Sequence, residues 1–326
     1  MTVRRLLSVC LALLLGGAAC TSEAPPDDSG LDTSFAVQLA SSWHYAGAPQ
    51  RVQLGILASD ANGLRLVTQG TVDVAFAYLG TDGTGAPENG PSATADYVPV
   101  PGTDASGDAP TIATGANGVY EAEGVTFDRS GVWRATLSPE IDGLARRMTV
   151  DFTVTELSDV HIPAPGEPAL RTETLTMDSK VRKGAIDSMA DGSGEIPDPE
   201  LHEWSIADAI DQGRPALVLF GTPAYCESRF CGPEVTELQR LATAHPDRAV
   251  YIHVEIWKEY KPPEIQIVNK GAADWLLRTM PDDSQEMTEP WLYLIGADGI
   301  IVDRWGSLFD PADVEAALEA LPPMDA

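Results

Sequence analysis

The chain has 326 residues, of which 44% are hydrophobic and 21% charged. At roughly 150 residues per domain this is about two domains of ordinary globular composition, which excludes a chain disordered throughout and a multi-span membrane protein. With 49 Asp and Glu against 21 Lys and Arg, the net charge is -28. Such a surface repels phosphate backbones and anionic lipid, so no nucleic-acid partner is expected and a membrane partner needs a covalent hold.

Arg4 and Arg5 precede an apolar run from Leu6 to Leu15, too short to span a bilayer as a stable helix. Gly16, Gly17, Ala18 and Ala19 then lead directly to Cys20. This run resembles a bacterial lipoprotein signal, in which the peptidase cuts before a cysteine that receives the lipid. Gly17 stands where that family usually has Leu. The resemblance implies a signal peptide over 1–19, lipidation at Cys20, and an extracytoplasmic protein held to a membrane of the cell envelope by its N-terminal lipid. The alternative is an ordinary cleaved signal with an incidental cysteine. On the lipoprotein reading Cys10 is lost and Cys20 blocked, leaving two thiols, Cys226 and Cys231, in a compartment where disulfides persist. Residues 20–33, rich in Ser, Pro, Asp and Glu, read as a flexible tether.

Residues 34–156 show period-two alternation. Phe35, Val37 and Leu39 share one face of a strand; Val72, Val74, Phe76 and Tyr78 another; Trp133, Ala135 and Leu137 a third; Met148, Val150, Phe152 and Val154 a fourth. Turn residues separate these runs, as at Asp60-Ala-Asn-Gly63 and Asn117-Gly118. Short alternating strands without helices predict an antiparallel β-sandwich. The Gly/Pro/Asp-rich stretch from Gly80 to Gly115 reads as an extended surface loop, with room for a weak strand around Tyr97 to Val100. The segment from Gly118-Val-Tyr120 through Phe127, Gly131 and Trp133 loosely resembles immunoglobulin-like domains of bacterial envelope proteins. His44 is its only histidine and it has no cysteine, so the expected role is a spacer or binding module.

Pro163, Pro165 and Pro168 mark a boundary, and residues 157–200 read as a Pro-rich, polar linker, with Leu170, Leu175 and Ile186 available to anchor it. After it the period changes. Ser205 caps a short helix that Gly213 stops. Ala216 to Phe220 is a continuous apolar run suited to a buried central strand. Pro233 opens a helix with Val235, Leu238, Leu241 and Ala242 on one face. Val250 to Ile256 is the next strand, and Glu264 to Leu277 is expected to be helical with Trp275 and Leu276 inward. Trp291 to Ile295 and Ile300 to Trp305 form a hairpin about Asp298-Gly299. Asp310-Pro311 caps a last helix carrying Val314, Ala317, Leu318 and Leu321. The strand–helix–strand half predicts a parallel pair, and the hairpin an antiparallel edge.

Cys226 and Cys231 lie where the first buried strand turns into a helix, in Phe220-Gly-Thr-Pro-Ala-Tyr-Cys-Glu-Ser-Arg-Phe-Cys-Gly-Pro-Glu234. A helix N-terminus carries about half a positive charge, which favours the reactive thiolate. Residues 201–326 resemble the thioredoxin-like superfamily in element order, in the cysteines after the first central strand, and in Thr288-Glu-Pro290 before the penultimate strand. The resemblance implies an α/β thioredoxin-like domain behind an all-β sandwich. It also implies a cis bond between Glu289 and Pro290, with these two residues contacting substrate. Thioredoxins have two residues between the cysteines and this chain has four. A straight helix would separate residues five apart by about 7.5 Å, beyond the roughly 7 Å limit for a bridge, so a bridged pair requires an intervening turn. Counted from Phe220, Cys226 takes the family's nucleophile position. Counted from Cys-Gly-Pro, Cys231 takes it and Glu234 replaces the resolving cysteine. Cys226 as attacking thiol with Cys231 as its partner is the favoured assignment.

The expected activity is thiol–disulfide exchange with exported protein thiols and disulfides, without a cofactor. The alternative is a structural disulfide in a non-catalytic envelope binding protein, since cysteine pairs in exported proteins are more often structural; the position of this pair at the superfamily's reactive turn is what sets exchange beside it. A further resemblance, to Sco-type copper chaperones, rests on two soft thiolates and the Tyr293-to-Gly299 hairpin. It ranks lower, because the family's histidine position falls near Thr288, with Met287 as a conceivable soft substitute. His253 reads as a structural strand histidine. Glu255, Trp257 and Tyr260 could line a cleft near the cysteines. No metal-ligand motif is apparent from spacing.

Overall fold

The computed structural model describes residues 32–324, apart from 61–62, 104–106, 114–116, 161, 227–229 and 281–282. The expected signal peptide, Cys20 and nearly all of the tether lie outside the described residues. The described chain is mostly β, arranged in several sheets. None of its helices is long and apolar enough to cross a membrane.

The first part contains β1 (Phe35–Leu39), β2 (Gln50–Asp60), β3 (Gly63–Thr68), β4 (Thr71–Tyr78), β5 (Glu88–Pro99), β6 (Thr111–Ile112), β7 (Gly118–Val125) and β8 (Gly131–Leu137). A two-residue hairpin pair, β9 (Glu140–Ile141) and β10 (Leu144–Ala145), precedes β11 (Met148–Val154). Nine of these strands form one antiparallel sheet in the order β11-β8-β4-β5-β7-β2-β3-β6, with β1 also on β2. The alternating faces converge on one core, which includes Leu54, Val74, Phe76, Tyr120, Phe127, Trp133 and Leu137. That arrangement is consistent with a β-sandwich.

The stretch from Gly80 to Gly115, expected to be a loop with room for a weak strand around Tyr97 to Val100, contains β5, a twelve-residue strand between β4 and β7 that covers Tyr97 and starts at Glu88. Its composition hides it, because Gly90 lies against the Trp133 ring where a Cβ would collide. Small residues are what a strand needs where a large ring crosses its face.

The chain then passes through α1 (Leu157–Val160), extended segments and α2 (Ala190–Ser193). The stretch is anchored to the second part. Pro168 bridges Ile300, and Thr172, Thr174, Ala185, Ile186 and Ala190 are buried. Leu170 stays exposed.

In the second part, α3 (Ile206–Asp211) starts with a capping box. Ser205 Oγ accepts from Asp208 N, and the Ser205 amide donates to the Asp208 carboxylate. There follow β12 (Ala216–Gly221), α4 (Cys231–Ala244), β13 (Val250–Glu255), β14 (Trp257–Lys261), β15 (Ile265–Val268), α5 (Lys270–Leu276) and the short β16 (Arg278–Thr279) and β17 (Gln285–Glu286). The chain ends in β18 (Trp291–Ile295), β19 (Ile301–Gly306) and α6 (Pro311–Ala320), the last capped by Asp310. The main sheet runs β13-β12-β18-β19, with β12 parallel to β13 and antiparallel to β18. All six β12 residues are buried, because helices cover both faces. Side chains of α3 and α5 pack on one face, and those of α4 and α6 on the other.

The helix expected from Glu264 begins only at Lys270, because β14 and β15 form a hairpin ahead of it. Trp275 and Leu276 point inward as expected.

The two parts touch. Arg51 of β2 pairs with Asp303 of β19 at 3.3 Å, donates to the Arg304 carbonyl at 2.8 Å and lies over the Trp305 ring. Gln53 donates to the Leu308 carbonyl. Val98, Val100 and Val119 form an apolar cluster with Phe230 and Leu308.

Candidate functional site

β12 ends at Gly221 and the chain turns at Thr222, whose carbonyl accepts from the amides of Tyr225 and Cys226 at 3.2 and 3.0 Å. Residues 227–229 lie outside the described residues. Phe230 then leads into α4, whose first residue is Cys231, slightly before the start expected at Gly232-Pro233. Cys226 and Cys231 are disulfide-bonded, with their Cα atoms 6.1 Å apart. That distance is within bridging reach and shorter than the roughly 7.5 Å rise of five residues of continuous helix. Cys226 is half-buried and Cys231 is fully buried, so Cys226 is the more accessible end of the bond. Cys231 sits at the positive end of a fourteen-residue helix. Three residues on, Glu234 is fully enclosed, and burial pushes its carboxyl well above the usual range.

Gly221 separates Cys231 from Pro290. A Cβ placed on it would lie 3.6 Å from the Cys231 sulfur and 3.8 Å from Pro290 Cβ. The Glu289–Pro290 bond is cis. Pro290 is buried, and its carbonyl accepts from the Ser307 amide at 2.9 Å. A carboxylate oxygen of Glu289 lies within 4.8 Å of both sulfurs. The fold therefore gathers Cys226, Cys231, Glu289 and Pro290 at one end of β12. Beside Glu289 and Pro290 a cleft of about 460 Å³ opens between the two parts. Trp43, Tyr45 and Arg51 line it from the first part; Pro290, Trp291 and Arg304 line it from the second. The cysteines do not line it.

A second set of residues holds the turn before Cys226. The Ala224 amide donates to Ser188 Oγ at 3.1 Å, and the Ser188 amide donates to Glu255 Oε2 at 2.8 Å. Tyr225 donates to Asp191 at 2.7 Å and packs on Tyr260, which packs on Trp257. Glu255 is buried in this support, and burial raises its carboxyl. Of the three residues expected near the cysteines, Tyr260 reaches them through Tyr225, while Glu255 and Trp257 stand behind.

Directly beneath Gly221 lies a cluster that no spacing in the sequence signals. Asp187, His202 and His253 are buried together. Asp187 Oδ2 is 3.5 Å from His202 Nε2 and 3.6 Å from His253 Nδ1. Their burial and Ser188's bond to the cysteine turn put residues of the expected linker at the centre of the site. The residues are 15 and 51 positions apart in sequence, on separate stretches of the chain, so only the fold assembles them.

Met287 is half-buried against the apolar core of the second part. The third potential ligand beside the sulfurs is Glu289, a hard oxygen donor rather than the histidine of the copper chaperones. No protein-family model matches the chain, and no curated protein matches it.

Proposed function

We propose that the chain is a lipid-anchored, extracytoplasmic protein whose second part is thioredoxin-like and exchanges disulfides with exported proteins through Cys226 and Cys231. The observation that carries the reading is the asymmetric pair at the end of β12. A half-buried Cys226 is bonded to a buried Cys231 that opens α4, with cis-Pro290 against Cys231 across Gly221. The β13-β12-β18-β19 sheet with helices on both faces supports the fold assignment.

In the exchange, a substrate thiolate attacks the Cys226 sulfur. A mixed disulfide forms, the Cys226–Cys231 bond breaks, and its electron pair leaves on Cys231. A second substrate thiolate then displaces Cys226, so the substrate is oxidised and the pair reduced. The reverse sequence begins with Cys226 thiolate on a substrate disulfide, and Cys231 resolves it. The start of α4 stabilises the leaving thiolate in the first direction.

The burial of Cys231 and the packing of Phe230 under the first part favour a second reading, a structural disulfide in an envelope binding protein. The reduction potential separates the two. Equilibration in thiol buffers with an alkylation readout should give a value between about -120 and -270 mV for an exchanging pair. A value below about -300 mV, or a bond closed to reductant until the chain unfolds, overturns the exchange reading.

A further inference from the structure

We propose that Asp187, His202 and His253 form a metal site for a divalent ion of the zinc type, set beneath the disulfide turn. Three observations lead to it. First, Asp187 Oδ2, His202 Nδ1 and Nε2, and His253 Nδ1 are all buried without a hydrogen-bond partner. Buried polar atoms are seldom left so, and four in one cluster mark a place where something else binds.

Second, the separations suit ligands around an ion. The oxygen stands 3.5 and 3.6 Å from the two imidazole nitrogens, and the three ligand atoms lie within 4.8 Å of one another. Charge-assisted hydrogen bonds close to about 2.7–2.9 Å. Ligands about 2.0–2.2 Å from a tetrahedral zinc stand about 3.4 Å from each other. Two imidazoles and a carboxylate are also a donor set that zinc takes.

Third, the ring of His253 is set for ligation. Its Nε2 lies 3.1 Å from the Gly221 carbonyl, which can only accept, so Nε2 carries the proton. In the neutral ring Nδ1 then presents its lone pair to the Asp187 oxygen. Two lone pairs facing each other in a buried space are relieved by a metal ion or a proton between them, and at 3.6 Å the gap is longer than a charge-assisted hydrogen bond. An outer nitrogen tied to a backbone carbonyl is the usual support of a metal-bound histidine.

The ion would tie the expected linker to the main sheet. Asp187 and His202 come from the segment before α3, and His253 from the middle of β13. It would also bear on the cysteine turn from two sides, through Gly221 and through Ser188, the neighbour of Asp187. The competing occupant is a proton shared between Asp187 and the imidazoles.

The test uses the full chain with the Cys226–Cys231 bond intact, so that free thiolates bind nothing. It is stripped with a chelator, dialysed and titrated with zinc, with bound metal measured by elemental analysis. About one zinc per chain is expected, with a rise in Tm, and Asp187→Asn and His253→Gln should each abolish both. A wild-type chain that holds no stoichiometric zinc overturns the proposal, as does a variant that holds as much. Cobalt(II) in the unaltered chain serves where a variant does not fold. A ligand-field spectrum of nitrogen and oxygen donors without a thiolate charge-transfer band supports the site; its absence overturns it.

Discussion

Arg51 and Asp303 form a two-pronged ion pair across the boundary between the first and second parts, each guanidinium nitrogen 3.3 Å from a carboxylate oxygen. The same guanidinium donates to the Arg304 carbonyl and lies 3.6 Å from Glu121, which is buried. Arg51→Ala removes all of these and leaves the Glu121 carboxylate without its nearest cation. The expected loss is about 1–3 kcal/mol, read as a lower urea midpoint at unchanged slope. An unchanged midpoint would mean that the parts are held by their apolar contacts alone.

Glu121 gives that boundary a pH dependence. Burial pushes its carboxyl up to about 7, against the opposing pull of Gln53 and Arg51 and with Glu123 and Asp313 adding to the rise. In the unfolded chain a glutamate titrates near about 4.3. Between these values the folded state holds the extra proton, so this group's contribution to stability is full below the lower value and is lost as pH rises through the upper one. Glu121→Gln should therefore gain stability relative to the parent between pH 5 and pH 8, by on the order of 1–3 kcal/mol. Parallel stability curves over that range would show that Glu121 is not the group responsible.

Phe230 fills the apolar contact with Val98, Val119 and Leu308. Phe230→Ala should cost about 3–5 kcal/mol through the cavity left behind. It should also speed reduction of the disulfide, since Phe230 adjoins Cys231. Thermal unfolding reads the first effect and thiol trapping in the folded chain the second.

Removing the disulfide isolates its own contribution. The loop between Cys226 and Cys231 is short, and closing one of this length stabilises by about 2 kcal/mol in the chain-entropy description. Cys226→Ser with Cys231→Ala should lower the stability by that order without altering the far-ultraviolet spectrum. A loss several times larger would mean that the bond holds native structure well beyond its own turn.

Glu289 should tune the pair. Its carboxylate, within 4.8 Å of both sulfurs, opposes any thiolate formed there. Glu289→Gln should stabilise the reduced form by on the order of 1 kcal/mol and move the reduction potential up by about 20 mV. A shift downward would reverse the sign of that electrostatic argument.

Much of this arrangement was legible in residue patterns. The apolar run at Ala216, the caps at Ser205 and Asp310, and the Asp298-Gly299 turn mark elements whose local chemistry agrees with their place in the fold. Only the end of β5, around Tyr97, was legible; its start escaped because Gly90, which lowers strand propensity, stands where the Trp133 ring leaves no room for a Cβ. The β14–β15 hairpin escaped because Ile265, Val268 and Ala272, spaced i, i+3 and i+7, also fit one face of a helix. The cysteine turn announced itself, since two reactive residues stand close together in the chain. The Asp187, His202 and His253 cluster gave no such signal, because chain crossings bring its members together and no local repeat does.

The packing of Phe230 and Leu308 on Val98, Val100 and Val119 has a practical bearing on dissection. A fragment beginning at residue 168 would contain both cysteines and the whole of the β13-β12-β18-β19 sheet. It would nonetheless present a bare apolar patch to water beside Cys231, and it would strip Asp303 of Arg51 and Arg304 of Tyr45. Redox constants measured on such a fragment would describe a thiol loop with a wall missing, a different chemical object from the one in the intact chain.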